Sequence, residues 1–185
     1  MLVDFAHMGS DLMQQCYGIE SPRIGLLSNG AEETKGNKLV KETYPLMEKA
    51  PYNFTGNVEA RDVMADVADV LVADGFAGNL ILKNTEGVAM ALLKIIKSEM
   101  MADTRGKIAG LIGKPAFKRV KKLMDYTEVG GAPLLGVQGA VVKAHGSSNA
   151  HAFSCAIGQL IKMIDGKVVE IIEKGVETLI PQEDA

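Results

Sequence analysis

Val72-Ala73-Asp74-Gly75-Phe76-Ala77-Gly78-Asn79 runs an apolar strand directly into Asp, Gly and Asn and then into a helical pattern. Val142-Lys143-Ala144-His145-Gly146-Ser147-Ser148-Asn149 repeats the arrangement further along the chain. A strand that breaks into Gly, Asn and Ser before a helix aims bare backbone N–H groups and short polar side chains at an anion. Two such junctions read as an α/β layer with a ligand site at its strand ends.

The whole chain agrees with that reading. Its 185 residues, 47% of them hydrophobic, can bury the core of one domain or of one lobe of a larger one. With no Trp, 20 Gly and short β-branched runs alternating with helical patterns, an α/β layer is favoured over a bundle or sandwich. No charged-then-apolar leader opens the sequence and no apolar run reaches ~18 residues, so a cytoplasmic protein is expected rather than a secreted or membrane-spanning one. Cys16 and Cys155 lie far apart among apolar residues and are expected to be buried structural thiols, not a disulfide. Neither has a His or acid beside it that would mark a nucleophile, no metal-ligand constellation is visible, and no nucleic-acid partner is expected.

Along the chain the patterns predict a helix over residues 2–16, a strand over 24–27, and a polar loop over 28–37 opening a helix that ends before Pro51. A short strand over 52–55 reaches residues 56–62, a brief helix follows them, and then a buried strand over 69–73. Residues 84–101 form a long helix, apolar at Val88, Ala91, Leu92, Ile95, Ile96 and Met100, a stripe wide enough to need cover from the sheet and from a second element. Extended segments over 130–136 and 139–144 flank a turn, helices occupy 150–164 and 168–179, and residues 181–185 form a frayed tail.

The charge is unevenly placed. The net charge is −3, yet residues 104–124 hold Arg105, Lys107, Lys114, Lys118, Arg119, Lys121 and Lys122 and no acid, which leaves 13 basic against 23 acidic residues elsewhere. Gly110, Gly113 and Pro115 are expected to break this basic amphipathic insertion, at about 102–125, into two short helices. Phe117, Val120, Leu123 and Met124 follow helical spacing between the lysines, a pattern that serves both contact with a second subunit and contact with an anionic membrane.

Each loop has a chemical and a plain reading. Lys35, in Lys35-Gly36-Asn37 just past a strand, can be a point charge for phosphate or a solvated surface lysine; the spacing is not that of a P-loop. Asp74, Gly75, Gly78 and Asn79 can let a ligand approach the backbone or simply cap a helix. His145, Gly146, Ser147, Ser148 and Asn149 can cap a helix while its N–H groups bind an oxyanion, with an imidazole beside them. His7 and His151 fall in helical stretches and read as structural, and Glu59 with Arg61 as an ion pair shaping the loops.

Beyond these readings, six motifs in order carry a resemblance: residues 22–30 (PRIGLLSNG), 33–37 (ETKGN), 54–62 (FTGNVEARD), 74–79 (DGFAGN), 130–136 (GGAPLLG) and 143–149 (KAHGSSN). Together they closely resemble the bacterial phosphate acyltransferases of phospholipid synthesis. The resemblance implies acyl transfer from acyl carrier protein to inorganic phosphate, giving acyl phosphate without a cofactor. It implies a three-layer αβα fold of the isocitrate/isopropylmalate dehydrogenase type, shared with phosphate acetyltransferases, in a homodimer associated peripherally with anionic membrane. It covers the C-terminal part of that family, so a single, incomplete C-terminal lobe over 1–185 is expected. Asn149 stands where some relatives place Asp, an exchange that keeps a capping oxygen and removes a charge.

On that resemblance Lys35, Asn79 and His145 are the expected catalytic residues. Lys35 and the 145–149 loop would hold phosphate, Asn79 with Gly78 would steady the thioester carbonyl or pantetheine arm, and His145 would assist the departing thiolate. Asn37, Asp74, Gly75, Gly78, Gly146, Ser147, Ser148 and Asn149 are the expected substrate-binding residues. A phosphate acetyl- or butyryltransferase using coenzyme A and a non-catalytic fragment stay open as alternatives. A dehydrogenase of the same fold is disfavoured, since no cluster of metal-binding aspartates is seen.

Overall fold

A computed structural model describes residues 1–123 and 128–179. Met124 and the tail over 181–185 lie outside the described residues. The order of elements is α1 (Leu2–Tyr17), β1 (Ile24–Ser28), α2 (Lys38–Glu48), β2 (Phe54–Glu59), a 3-10 turn (Ala60–Asp62), β3 (Val70–Val72), α3 (Gly75–Ala102), α4 (Thr104–Leu123), β4 (Gly131–Leu134), β5 (Val141–Ala144), α5 (Ala150–Asp165) and α6 (Val168–Leu179).

β1 lies between β2 and β3 in a parallel sheet, with Leu26 opposite Asn57 on one side and Val72 on the other. Every residue of β1 is buried, which is why Ile24-Gly25-Leu26-Leu27 reads as a continuous apolar run without alternation. Arg23 pins the sheet at its amino edge. Its backbone N–H and guanidinium donate to the Asp69 carboxylate over 2.7–3.0 Å, and the guanidinium also reaches the carbonyl and carboxylate of Asp66. This ties the start of β1 to the start of β3, and it holds the Asp69 carboxyl at about 2, chiefly through the Arg23 side-chain hydrogen bonds.

α1 belongs to both hydrophobic clusters. Leu2 and Ala6 pack with Ile24, Leu26, Val40, Met47 and Val72 over the sheet, while Met8 packs with Met163 of α5 and Val168 and Ile172 of α6. The approach to the sheet is close: a Cβ on Gly9 would stand 2.6 Å from Val70 Cγ1. On the other flank Gly175 of α6 leaves room for the His7 imidazole, which lies 3.6 Å from the Asp11 carboxylate in the same helix. Burial raises the Asp11 pKa and the attraction of His7 opposes it. β4 and β5 form an antiparallel hairpin apart from the parallel sheet and pack on α5. A parallel sheet flanked by helices is consistent with the expected αβα layering.

Several expectations need correction. The long helix begins at Gly75 rather than residue 84, because the Asp74 carboxylate accepts the N–H groups of Phe76 and Ala77 and starts the helix inside the glycine-rich segment. The basic segment is one continuous helix with Pro115 inside it, not two pieces. Its packing along α3 outweighs the weak helix preference of Gly110 and Gly113. α3 is not covered by the sheet: none of its residues is buried, and it packs chiefly on α4. The strand expected over 52–55 lies at Phe54–Glu59, drawn along by pairing with the whole of β1. Both cysteines are half-buried rather than buried, and both are free thiols.

Candidate functional site

The carboxyl ends of β1 and β3 open into a cavity of about 560 Å³ between the first turns of α2 and α3. In an open parallel sheet this edge is where ligands lie, because the helices that follow point their N-termini at it. Its lining is polar at Ser28, Asn29, Gly36, Asn37 and Asp74 and apolar at Leu26, Leu27, Val40, Leu80 and Ile81.

The polar rim is built by local hydrogen bonds. Asn29 Oδ1 accepts the Gly36 N–H at 2.8 Å, and Asn37 Oδ1 accepts the Val40 N–H at 3.0 Å, capping α2. Gly36 has φ +105°, and a Cβ there would meet Val40 Cγ1 at 2.5 Å, so glycine is required for the loop to fold over the strand end. Asn57 Nδ2 donates to the Glu32 carbonyl at 2.8 Å and fastens the same loop to β2. Arg61 bonds the Glu59 carboxylate at 3.0 Å, the ion pair read from the sequence.

Electrostatics distinguish the two helix starts. Asp74 places a carboxylate on the first amides of α3, satisfying them internally and repelling an anion. α2 begins under the neutral Asn37 amide, with Lys35 two residues before it. An anion is therefore better held on the α2 side of the mouth.

A second polar group forms where β5 meets α5. Asn149 Oδ1 accepts the Ala152 N–H at 2.9 Å, and the Ser148 N–H donates to the His145 carbonyl. His145 Nδ1 accepts the Ser147 N–H at 3.2 Å and lies 2.6 Å from the Ser147 hydroxyl. Accepting at Nδ1 requires the proton of a neutral imidazole to sit on Nε2, which makes that nitrogen a donor.

The structure thus brings Asn37 and Asp74 of the expected residues into one cavity. Lys35 is exposed on the loop that rims it. Gly75, Gly78 and Asn79 occupy the first turns of α3 outside the lining, and Asn79 is exposed. His145, Gly146, Ser147, Ser148 and Asn149 lie at the start of α5 and do not line this cavity. Two features escape the sequence reading. Ser28 closes β1 within the lining, where a serine ending an apolar run reads as the start of a loop. His151 Nε2 lies 3.8 Å from Cys155 Sγ and 3.5 Å from Glu128 Oε1, a contact that the i, i+4 spacing of His151 and Cys155 signals. Both contacts use one ring nitrogen, so His151 cannot relay a proton between them as a triad base would. Burial raises the Cys16 pKa against the opposing charge of Lys162, which disfavours its thiolate. Among the described residues no three His, Cys, Asp or Glu side chains gather as a metal site, and no helix is long and apolar enough to cross a membrane.

Comparison with known proteins follows the same residues. The fatty acid synthesis protein family matches residues 1–171. The phosphate acyltransferase of Alkaliphilus oremlandii is 49% identical over 178 residues, which are 96% of this chain and 53% of that protein. That of Exiguobacterium sibiricum is 51% identical over 93% of this chain and 52% of its own, and that of Clostridium acetobutylicum 47% identical over 96% and 54%. The chain spans about half the length of these curated relatives. With nearly all of its elements inside the matched region, the chain belongs to the fatty acid synthesis protein family.

Proposed function

We propose that this chain is the C-terminal part of an acyltransferase that moves a fatty acyl group from acyl carrier protein to inorganic phosphate. The observation that carries the proposal is the cavity at the carboxyl edge of the sheet, lined by both polar and apolar residues, in a chain half identical to phosphate acyltransferases. Such a cavity suits an amphiphile whose reacting end is polar. Phosphate is an anionic nucleophile at neutral pH, so the reaction needs no covalent enzyme intermediate and no strong base. What it needs is phosphate held against the thioester carbonyl and stabilisation of the tetrahedral oxyanion.

In this reading Lys35 and Asn37 hold phosphate, and Asn79 with Gly78 steadies the thioester carbonyl. His145 donates from Nε2 to the departing thiolate, a role that the acceptor state of its Nδ1 supports. The exposed apolar residues of α3 and α4 meet a second copy of the chain, and Lys107, Lys114 and Lys118 of α4 face an anionic membrane. The protein works in the cytoplasm at that membrane surface.

The test is acyl phosphate formation, trapped as hydroxamate, by the chain alone and mixed with the N-terminal half of a relative. Acyl carrier protein thioesters should outrun coenzyme A thioesters, and Lys35→Ala or Asn79→Ala should lower turnover by about 10²-fold. Preference for short coenzyme A thioesters would instead favour a phosphate acetyl- or butyryltransferase. No product in either mixture would leave a non-catalytic fragment.

A further inference from the structure

The molecule contains a polar group at the cavity that nothing above uses. Ser28 is the last residue of the central strand, only 9% exposed, and it lines the cavity beside Gly36 and Asn37. Its hydroxyl is buried and has no hydrogen-bond partner among the described residues. It lies 3.2 Å from the point a Cβ on Gly36 would occupy, directly beneath the loop that carries Lys35.

A buried hydroxyl without a partner is costly, and the remainder of β1 is apolar or glycine. Alanine would end the strand there without that cost, so an O–H at this position calls for an acceptor that arrives from outside. The cavity lies against it, and rotation about one side-chain bond changes where a serine hydroxyl points. The acceptor that fits is anionic oxygen. α2 starts at the same corner under a neutral cap and Lys35 stands on the same loop, whereas the Asp74 carboxylate excludes an anion from the α3 side.

We propose that Ser28 is a phosphate-binding residue, donating its hydroxyl to a phosphate oxygen seated at the start of α2. The inference rests on the acyl-transfer reading for the identity of the anion and adds a ligand from the strand itself. It predicts that the free protein carries the cost of the unpartnered hydroxyl and recovers it when phosphate binds.

Calorimetric titration of the 185-residue chain with inorganic phosphate, with thermal melting in phosphate-free buffer, separates the outcomes. Wild type should bind phosphate, and Ser28→Ala should bind it about tenfold more weakly while melting at the same temperature or higher without phosphate. Lys35→Ala serves as the companion. If Lys35→Ala weakens binding and Ser28→Ala does not, Ser28 is no ligand and the acyl-transfer reading stands. If Ser28→Ala melts lower in the absence of phosphate, the hydroxyl serves the fold and the proposal is overturned. If wild type binds no phosphate, the Ser28 proposal is overturned, while the acyl-transfer reading is decided by product formation with the N-terminal half present.

Discussion

Arg23 and Asp69 show how one pair of side chains sets the geometry on which the cavity depends. Their hydrogen bonds join the first residues of β1 and β3, and the carboxyl ends of those strands line the cavity. The Asp69 carboxyl is held at about 2, below its usual 3.8, so it contributes stability that is fully present above 3.8 and is lost as pH falls through about 2. Asp69→Asn removes the charge and keeps the shape. It should melt below wild type at pH 7, and the gap should close between about pH 4 and pH 2, as followed by circular dichroism. A gap unchanged across that window would show that the pair does not drive acid sensitivity. At this scale the sequence is informative only where partners are close in the chain. Glu59 and Arg61 are legible two residues apart, whereas Arg23 and Asp69 are 46 residues apart and meet only when β1 pairs with β3.

The α3–α4 hairpin is the element whose sequence and structure disagree most usefully. Its apolar positions demand cover, yet the sheet does not supply it. Leu111 is 74% exposed and Ile112 is 76% exposed, on a helix that also carries Lys114, Lys118 and Arg119. Exposed apolar surface of this extent marks an interaction face. On the proposed dimer reading, Leu111→Glu with Ile112→Glu should leave circular dichroism unchanged and abolish wild-type dimerisation in sedimentation velocity. Lys118→Glu with Arg119→Glu should leave the dimer intact and weaken binding to vesicles containing anionic lipid, an effect that salt should mimic. A wild-type monomer that ignores vesicles at low salt would remove both roles. The amphipathic pattern of the hairpin was readable from spacing, but its boundaries were not. Asp74 starts a helix through residues that individually favour a loop, and contact with α3 carries α4 through Gly110, Gly113 and Pro115.

For the whole molecule, α1 is the member shared by the sheet cluster and the cluster beneath α5 and α6, so it decides whether the chain behaves as one unit. The α/β class and the order of strands and helices were legible because β1 is an unbroken apolar run and the helices keep their period. The joining role of α1 was not, since nothing in residues 2–17 announces two unlike faces packed on partners so distant in the chain. The relation between the cavity and the His145 loop was equally illegible, because it depends on packing between the two clusters. Gly9 tests the coupling directly. Gly9→Ala puts a methyl 2.6 Å from Val70 Cγ1 and should cost about 1–3 kcal/mol, with Val70→Ala relieving part of the loss in the double variant. If α1 unites the two clusters, native-state hydrogen exchange should show β1 and α5 amides losing protection by the same amount in Gly9→Ala. Loss confined to β1, with α5 unchanged, would mean that the clusters open independently, and that the cavity and the His145 loop are not held in fixed relation by α1.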